Sequence, residues 1–461
     1  MSKTAFTTLN LKPGLRDNLS SLDYLSMTPI QAESLPHILA GKDVIGQSKT
    51  GSGKTAAFAL GILQKLDTKR FRVQSLVLCP TRELADQVAK EIRTLARAIH
   101  NIKVLTLCGG TPFGPQIGSL EHGAHIVVGT PGRVEEHLRK GSLKLNNLEI
   151  LVLDEADRML DMGFQAALDM ILEHMPQQRQ TLLFSATYPD QIQSIARRVM
   201  NQPIVVQIAD SHDNDTIEQY FYKIDDKTPR VTALCLLLLN SRPDSALVFC
   251  NTKRETQDVA DQLTGLGFSA LALHGDLDQK VRDETLIRFA NKSVSILVAT
   301  DLAARGLDIN ELDAVINYQL ARELEVHVHR VGRTGRAGSK GLAGTLFSDK
   351  ETYKVTKLET YLNQPLHIAP LPSANLLDKP IYRPAMTTLQ IDGGKKQKLR
   401  PGDILGALTG DHGISGSDVG KIHIADNCAY VAIKREQTQA ALQILGRGKL
   451  KGRSFRVRLV E

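Results

Sequence analysis

The sequence predicts an α/β protein with two tandem parallel-sheet domains, followed by a small α+β domain in which the elements run in the order βαββαβ. Its 461 residues, 42% hydrophobic and 23% charged, are enough for two to four globular domains and exclude extended disorder. Short apolar runs alternate with longer helical patterns in two successive blocks, which is typical of parallel sheets covered on both faces. The third observation is a basic C-terminal segment.

The first block, residues 1–207, contains the apolar runs Ser75–Cys79, His125–Thr130, Ile150–Asp154 and Thr181–Thr187. Their length and their Val, Leu and Ile content indicate strands buried on both faces. Helical patterns such as Glu83–Ile99 lie between them. The block is therefore expected to form one parallel sheet with helices on both sides.

A polar segment without apolar periodicity, Ile208–Thr216, is predicted to be a linker. The alternation then resumes through residues 217–367, which are predicted to form the second domain. Its predicted strands are Ala246–Cys250, Ala270–Gly275, Ser295–Asp301, Ala314–Tyr318 and Ala343–Phe347.

A Pro-bearing linker, residues 368–385, precedes the third predicted domain, residues 386–461. This domain contains 13 basic and 7 acidic residues and so carries +6 of the chain's net charge of +7. Basic charge concentrated in one segment indicates a module that binds a polyanion.

The five cysteines lack C-x-x-C spacing, and Cys79, Cys235 and Cys250 lie in or beside apolar runs. They are expected to be reduced thiols of a core rather than disulfide or zinc ligands. Neither a membrane-spanning apolar run nor a signal-peptide pattern is evident. We therefore expect a cytoplasmic monomer that does not contact membranes.

A phosphate-binding loop is predicted at Ser48–Thr55, between an apolar strand and a helix. Glycines let backbone N–H groups converge on phosphate oxygens at the start of a helix. Lys54 can reach the terminal phosphates, and the Thr55 hydroxyl can ligate Mg²⁺. The alternative is a flexible loop rich in Gly and Ser.

Two carboxylates, Asp154 and Glu155, end an apolar strand about one hundred residues further on. Asp154 is expected to hold Mg²⁺, and Glu155 to orient or deprotonate the attacking water. Alone, such a pair could be a helix cap or part of a solvated face.

The segment from His329 to Arg336 gathers three arginines within the second domain. Phosphoryl transfer needs positive charge beside the γ-phosphate, and an arginine from a second domain would make turnover depend on domain closure. The alternative is a solvated basic turn.

These motifs resemble those of the DEAD-box RNA helicases, whose signature is Asp154-Glu155-Ala156-Asp157. The ordered matches cover nearly all of residues 1–365. The other matches are TPIQ (28–31), PTRELA (80–85), GG (109–110), TPGR (130–133), SAT (185–187), TDLAARGLD (300–308) and HRVGRTGR (329–336).

The resemblance implies two RecA-like domains, with ATP and Mg²⁺ between them and single-stranded RNA across both. Lys54, Asp154, Glu155, Arg333 and Arg336 would be catalytic, and Thr55 and Asp154 would hold the metal. Nucleotide contacts would come from Phe6, Gln31, Ser48, Thr50, Gly51, Ser52, Gly53, Lys54, Thr55, Gly306 and Asp308. Coupling to RNA would use Asp157, Ser185, Thr187 and His329. RNA contacts would be Pro80, Thr81, Arg82, Gly110, Thr130, Gly132, Arg133, Thr300 and Asp301.

The third domain resembles an RNA-recognition motif. Tyr430 occupies one position where that motif stacks bases, but Cys428, Ile433 and Gln390 occupy others, so charge is expected to replace stacking. Two basic clusters would then contact RNA. They contain Lys395, Lys396, Lys398 and Arg400, and Lys449, Lys451, Arg453, Arg456 and Arg458. A merely solvated surface is the alternative.

With this tail the chain resembles the DbpA group of bacterial DEAD-box helicases, which implies a hairpin of the large rRNA (23S rRNA) as target during large-subunit assembly. The predicted function is therefore local unwinding of short RNA duplexes, driven by ATP. Two rivals stay open, a DNA translocase on the same core and a non-catalytic RNA clamp.

Overall fold

The computed structural model describes residues 4–48, 51–188, 190–208, 217–225, 227–304, 312–335, 341–410 and 413–460. These form two compact units. The first ends before residue 212, and the second contains the described residues from 217 onward.

The first unit is a seven-stranded, wholly parallel sheet with the strand order β3-β4-β2-β5-β6-β1-β7. Its strands are β1 (Val44–Gln47), β2 (Ser75–Leu78), β3 (Val104–Leu107), β4 (Ile126–Gly129), β5 (Ile150–Asp154), β6 (Gln180–Ser185) and β7 (Ile204–Gln207). Its helices are α1 (Pro13–Ser21), α2 (Pro29–Leu39), α3 (Lys54–Lys65), α4 (Arg82–Leu95), α5 (Phe113–Glu121), α6 (Pro131–Arg139), α7 (Ala156–Asp161), α8 (Gln165–Glu173) and α9 (Asp190–Val199).

Successive residues of a central strand enter two different cores, which explains why these strands are apolar throughout. In β5, Ile150 and Val152 pack into one core, whereas Leu151 and Leu153 pack into the other. This arrangement, with helices on both faces, confirms the predicted fold class. The edge strand β3 is only half-buried for most of its length, and the sequence reasoning had not identified it.

The second unit begins with another wholly parallel sheet of seven strands, ordered β10-β11-β9-β12-β13-β8-β14. Its strands are β8 (Ile217–Ile224), β9 (Ala246–Cys250), β10 (Ala270–Leu273), β11 (Ile296–Thr300), β12 (Ala314–Asn317), β13 (Gly341–Ser348) and β14 (Ile368–Ala369). Its helices are α10 (Arg230–Ser241), α11 (Lys253–Gly265), α12 (Gln279–Ala290), α13 (Asp301–Ala304), α14 (Leu324–Val331) and α15 (Thr352–Leu362).

The C-terminal part of this unit is a four-stranded antiparallel sheet with the order β16-β17-β15-β18. The elements follow the predicted βαββαβ order. They are β15 (Met386–Ile391), α16 (Pro401–Thr409), β16 (Val419–Ile424), β17 (Ala429–Lys434), α17 (Thr438–Arg447) and β18 (Val457–Val460). One face of the sheet packs on α16 and α17 through residues such as Leu389, Ile391 and Val431.

The other face of the four-stranded sheet packs against the second parallel-sheet domain. The hydroxyl of Thr388, which is fully buried, lies 3.1 Å from Asn291 Nδ2 and 2.7 Å from Ser293 Oγ. Asn291 and Ser293 follow α12. The C-terminal domain is thus docked through polar contacts within the second unit.

Four of the five cysteines are buried free thiols, as predicted for Cys79, Cys235 and Cys250; Cys428 is half-buried. Among the described residues, no helix combines the length and the hydropathy needed to cross a membrane.

Candidate active site

The phosphate loop joins β1 to α3, and its geometry depends on glycine. Gly51 and Gly53 have φ of +81° and +93°, in the left-handed region that favours glycine. A Cβ atom on Gly53 would lie 2.5 Å from Gln31 Nε2. Ser48, which replaces the usual glycine at the start of the motif, fits because its hydroxyl pairs with that of Ser52 at 2.7 Å.

Lys54 opens α3, and its ammonium group is buried within the loop, where Nζ donates to the carbonyl oxygen of Ser48 at 2.5 Å. Burial lowers the pKa of Lys54, while the charges of Asp154 and Glu155 oppose that shift. The lysine therefore lies in the same electrostatic neighbourhood as the two carboxylates.

Gln31 lies beside the loop, as predicted for a nucleotide contact. Its Oε1 accepts from the Thr28 backbone N–H at 2.9 Å, and its Nε2 donates to the carbonyl oxygen of Gly53 at 3.0 Å. One amide hydrogen of Gln31 is left for a ligand.

Phe6, a predicted nucleotide contact, lies in the first core. Its ring is only 3% exposed and makes an edge contact with Tyr24 in the first core. Its contact with a nucleotide stays a prediction.

Asp154 ends β5, Glu155 lies between β5 and α7, and both are buried. Glu155 has φ of +50°, a left-handed conformation that is uncommon for a residue with a side chain and that is found at functional sites. Burial, and after it the charge of Glu155, raises the pKa of Asp154 to about 7. Two buried carboxylates side by side favour the binding of a cation.

Asp157 connects this strand end to the SAT segment that follows β6. Its Oδ2 accepts from both the backbone N–H and the hydroxyl of Thr187, at 3.0 and 2.9 Å. The Asp157 backbone N–H donates to Ser185 Oγ at 3.4 Å. The structure thus brings together three of the four residues predicted to couple hydrolysis to RNA.

The RNA contacts predicted in the first unit follow three adjacent strands. Pro80, Thr81 and Arg82 follow β2; Gly110 follows β3; and Thr130, Gly132 and Arg133 follow β4. Because β3, β4 and β2 are neighbours in the parallel sheet, these segments form one row along its carboxyl edge. Gly110 has φ of +72°, which the turn requires of a glycine.

In the second unit, Thr300 and Asp301 lie where β11 passes into α13. Both Asp301 oxygens accept from the guanidinium of Arg330, at 2.6 and 2.7 Å. Arg330 is fully buried and also donates to Asn317, Gln319 and Asn251.

Arg330 was missed by the sequence reasoning, which assigned roles only to His329, Arg333 and Arg336. The helix α14 also contains Glu325, His327 and His329, so its sequence gave no clear signal that Arg330 would be buried and paired. His329 is half-buried and Arg333 is buried. Thr50, Gly306, Asp308 and Arg336 lie outside the described residues.

The two predicted basic clusters of the C-terminal domain adjoin. Lys451 Nζ donates to the carbonyl oxygen of Lys398 at 2.8 Å and forms an ion pair with Asp403 at 3.2 Å. Asp403 is in the first turn of α16, the helix that begins directly after Arg400. Lys395, Lys396, Lys398, Lys449, Lys451 and Arg453 are all exposed or half-exposed. The contact between Lys451 and Lys398 joins the two clusters into one basic surface.

Tyr430, one of the predicted RNA contacts, is buried in this structure. It pairs with Gln390 on the docked face of the sheet and is only 5% exposed. Burial raises the pKa of Tyr430, with contributions from Cys428 and from Glu284 of α12. A base could not stack there while the domain is docked.

The matching family profiles cover most of the chain. They are "DEAD/DEAH box helicase" over residues 28–195, "Helicase conserved C-terminal domain" over 229–338 and "DbpA RNA binding domain" over 388–459. The chain is 52% identical to the ATP-dependent RNA helicase DbpA of Escherichia coli K12, over 99% of this chain and 100% of that protein. It is 36% identical to DbpA of Bacillus subtilis 168, over 95% and 96% of the two chains.

Among solved structures, Dbp5 of Saccharomyces cerevisiae bound to RNA and ADP BeF3 is similar, with a TM-score of 0.71 and 28% identity. The match covers 80% of this chain and 96% of that one.

Proposed function

Because this chain belongs to the DEAD-box ATP-dependent RNA helicases and carries a DbpA RNA-binding domain, we propose that it unwinds short duplexes of 23S rRNA during assembly of the large ribosomal subunit. ATP-dependent RNA helicase activity follows from the family. The RNA target and the residue roles are the proposal.

One observation supports these roles most directly, the convergence of Lys54, Asp154, Glu155 and Asp157 at one edge of the first sheet. Glu155 is proposed to orient and deprotonate the attacking water, and Lys54 to neutralise the terminal phosphates. Arg333 and Arg336, from the second unit, are proposed to stabilise charge on the transferred phosphoryl group.

The donor set fits Mg²⁺, since Asp154 and Glu155 are buried neighbouring carboxylates and Mg²⁺ prefers oxygen ligands. Thr55 and Asp154 would hold the ion, which would neutralise charge between the β- and γ-phosphates. Asp157 and Thr187 are proposed to transmit the state of this site to the loops that hold RNA.

RNA is proposed to lie along the row of loops that follow β2, β3 and β4, with Thr300 and Asp301 contributing from the second unit. Such loops offer N–H groups, hydroxyls and arginines to phosphates and sugars without selecting sequence. The basic surface around Lys398 and Lys451 would select the target, binding an rRNA hairpin and tethering the motor beside its duplex. We infer a cytoplasmic monomer.

The first experiment is steady-state ATPase activity with rRNA, unrelated RNA, DNA and no nucleic acid. The proposal expects strong stimulation by rRNA. Equal stimulation by DNA would favour the translocase, and RNA binding without hydrolysis would favour the clamp.

The role of Glu155 is tested by Glu155→Gln, which keeps shape but removes the base. Hydrolysis should fall about 10²–10⁴-fold, while ATP-dependent RNA binding persists. The exposed Glu173 provides a matched control, Glu173→Gln. Wild-type turnover in Glu155→Gln would contradict the assignment.

The tether is tested by truncation after residue 380. The shortened chain should keep an ATPase stimulated by any RNA but lose its preference for rRNA. Retained preference would refute the tether.

A further inference from the structure

Gln116, Arg133, His137 and Ser142 form a chain of polar contacts, here termed the Gln116 cluster, beneath two of the loops proposed to bind RNA. Gln116 lies on α5 and is buried. Its Nε2 donates to the carbonyl oxygen of Cys108 at 3.1 Å and to the hydroxyl of Thr111 at 2.7 Å. These two residues flank the Gly109–Gly110 turn, so Gln116 is hydrogen-bonded to the chain on both sides of that turn.

The carbonyl oxygen of the Gln116 side chain faces α6 instead. It accepts from Arg133 Nη1 at 2.9 Å and lies 2.9 Å from His137 Nε2. All four hydrogen-bonding positions of the amide are thereby used, two toward the glycine turn and two toward the TPGR helix. Gln116 thus directly connects the glycine turn that follows β3 with the TPGR segment that follows β4.

The orientation of that amide is fixed by the Cys108 carbonyl, which can only accept, and by Arg133, which can only donate. Because Gln116 Oε1 can only accept, His137 Nε2 must carry the hydrogen, which leaves Nδ1 as an acceptor. Nδ1 lies 2.8 Å from Ser142 Oγ, and that hydroxyl also lies 3.2 Å from the His137 carbonyl oxygen. Burial lowers the pKa of His137 to about 4, with a contribution from Arg133, which agrees with a neutral ring. Phe113 stacks on the same ring, with 4.1 Å between the two ring centroids.

Arg133 is held by protein groups rather than left free in solvent. Nη1 and Nη2 each donate to the carbonyl oxygen of Thr111 at 3.2 Å, Nε pairs with Glu136 at 3.2 Å, and the side chain is 12% exposed. Arg133 therefore makes three hydrogen bonds and one ion pair within the protein, and two of these hydrogen bonds end on Thr111, beside the glycine turn.

We propose that Gln116 and His137 are positioning residues for RNA binding, which hold the Gly110 turn and the Thr130–Arg133 segment at the separation that an RNA backbone requires. The inference rests on the proposed RNA path and adds two residues to it. Neither side chain is expected to touch RNA or nucleotide.

The test compares variants by the RNA concentration that gives half-maximal ATPase stimulation. Gln116→Ala should raise this value about tenfold, through loss of two contacts to each segment, with KM for ATP unchanged. Gln165→Ala, at an exposed glutamine of α8, is the control and should match wild type.

His137 offers a conservative rescue that separates positioning from folding. A glutamine amide can reach the place of Nε2, so His137→Gln should keep the donor to Gln116 and stay near wild type. An asparagine amide can replace only Nδ1, so His137→Asn should behave like Gln116→Ala. Equal RNA dependence of the two His137 variants would refute the inference, even if Gln116→Ala fails to fold.

Arg82→Ala separates this inference from the proposed function. A raised RNA requirement in Arg82→Ala, with none in Gln116→Ala or His137→Asn, would overturn the positioning role alone. If Arg82→Ala also binds RNA like wild type, the proposed RNA path is wrong and the inference falls with it.

Discussion

Thr388→Val should release the C-terminal domain from the second parallel-sheet domain while leaving each folded. Valine keeps the β-branched shape that suits β15 but removes the buried hydroxyl. Ser293 Oγ already donates its only hydrogen to the carbonyl oxygen of Arg288 at 2.9 Å. In the 2.7 Å contact Thr388 must therefore be the donor, and it accepts in turn from Asn291.

The substitution leaves one acceptor, on Ser293, and one donor, on Asn291, without this partner in a buried interface. Each such group costs about 1–3 kcal/mol, so docking should weaken by at least about 2 kcal/mol, which is more than tenfold in the docking equilibrium. Water entering the gap would reduce the cost toward the lower limit.

Hydrogen–deuterium exchange with mass spectrometry measures the effect on the full chain. Peptides from β15 and from the end of α12 should lose protection together, while peptides from the first unit do not change. Thr387→Val is a matched control, since the Thr387 hydroxyl bonds to Thr438 inside the C-terminal domain at 2.7 Å. Unchanged protection at residues 285–293 in Thr388→Val would show that these hydroxyls do not hold the domain.

Two further predictions follow from buried polar groups. Thr187→Val removes the hydrogen bond from the Thr187 hydroxyl to Asp157 but keeps the one from the backbone N–H. RNA-stimulated ATPase activity should therefore persist, while the number of strands separated per ATP, measured with a labelled duplex, falls several-fold. Equal losses of ATPase activity and of strand separation would contradict the coupling role. His327 is buried with neither ring nitrogen hydrogen-bonded, and burial, then Arg330, lowers its pKa to about 3. In the unfolded state His327 takes up a proton below its ordinary pKa of 6.5, whereas in the folded state it does so only below about 3. The free energy of unfolding should therefore decrease as the pH is lowered from 6.5 to 3. The loss between pH 7 and pH 5 should be about 2 kcal/mol and should vanish in His327→Leu; an identical pH dependence of unfolding in both proteins would refute it.

Much of the nucleotide site was predictable because its residues follow strands of one parallel sheet. Parallel strands end at the same edge, so a glycine loop after β1 and carboxylates at the end of β5 lie on one edge of the sheet, and the strand order leaves only β6 between them. The apolar runs of these strands fixed the fold class for the same reason, since a strand buried on both faces has no polar alternation.

Contacts between side chains far apart in sequence were not predictable in this way. Asp157 meets Thr187, and Gln116 meets both Arg133 and His137, through helix packing and rotamers that no local pattern encodes. Phe6 was assigned to the nucleotide by resemblance, and only the structure showed that its ring is buried in the core.

The C-terminal domain shows most clearly which features the sequence determines and which depend on the tertiary structure. The sequence predicted the βαββαβ order of this domain, and the charge count predicted that it carries a basic surface. The opposite face presents Thr388, Gln390 and Tyr430, side chains that suit water, RNA or a polar protein surface equally well. Only the tertiary structure decided among these, because Asn291 and Ser293 supply hydrogen-bonding partners for Thr388 at the contact with the second parallel-sheet domain, while the lysines around Lys398 stay exposed.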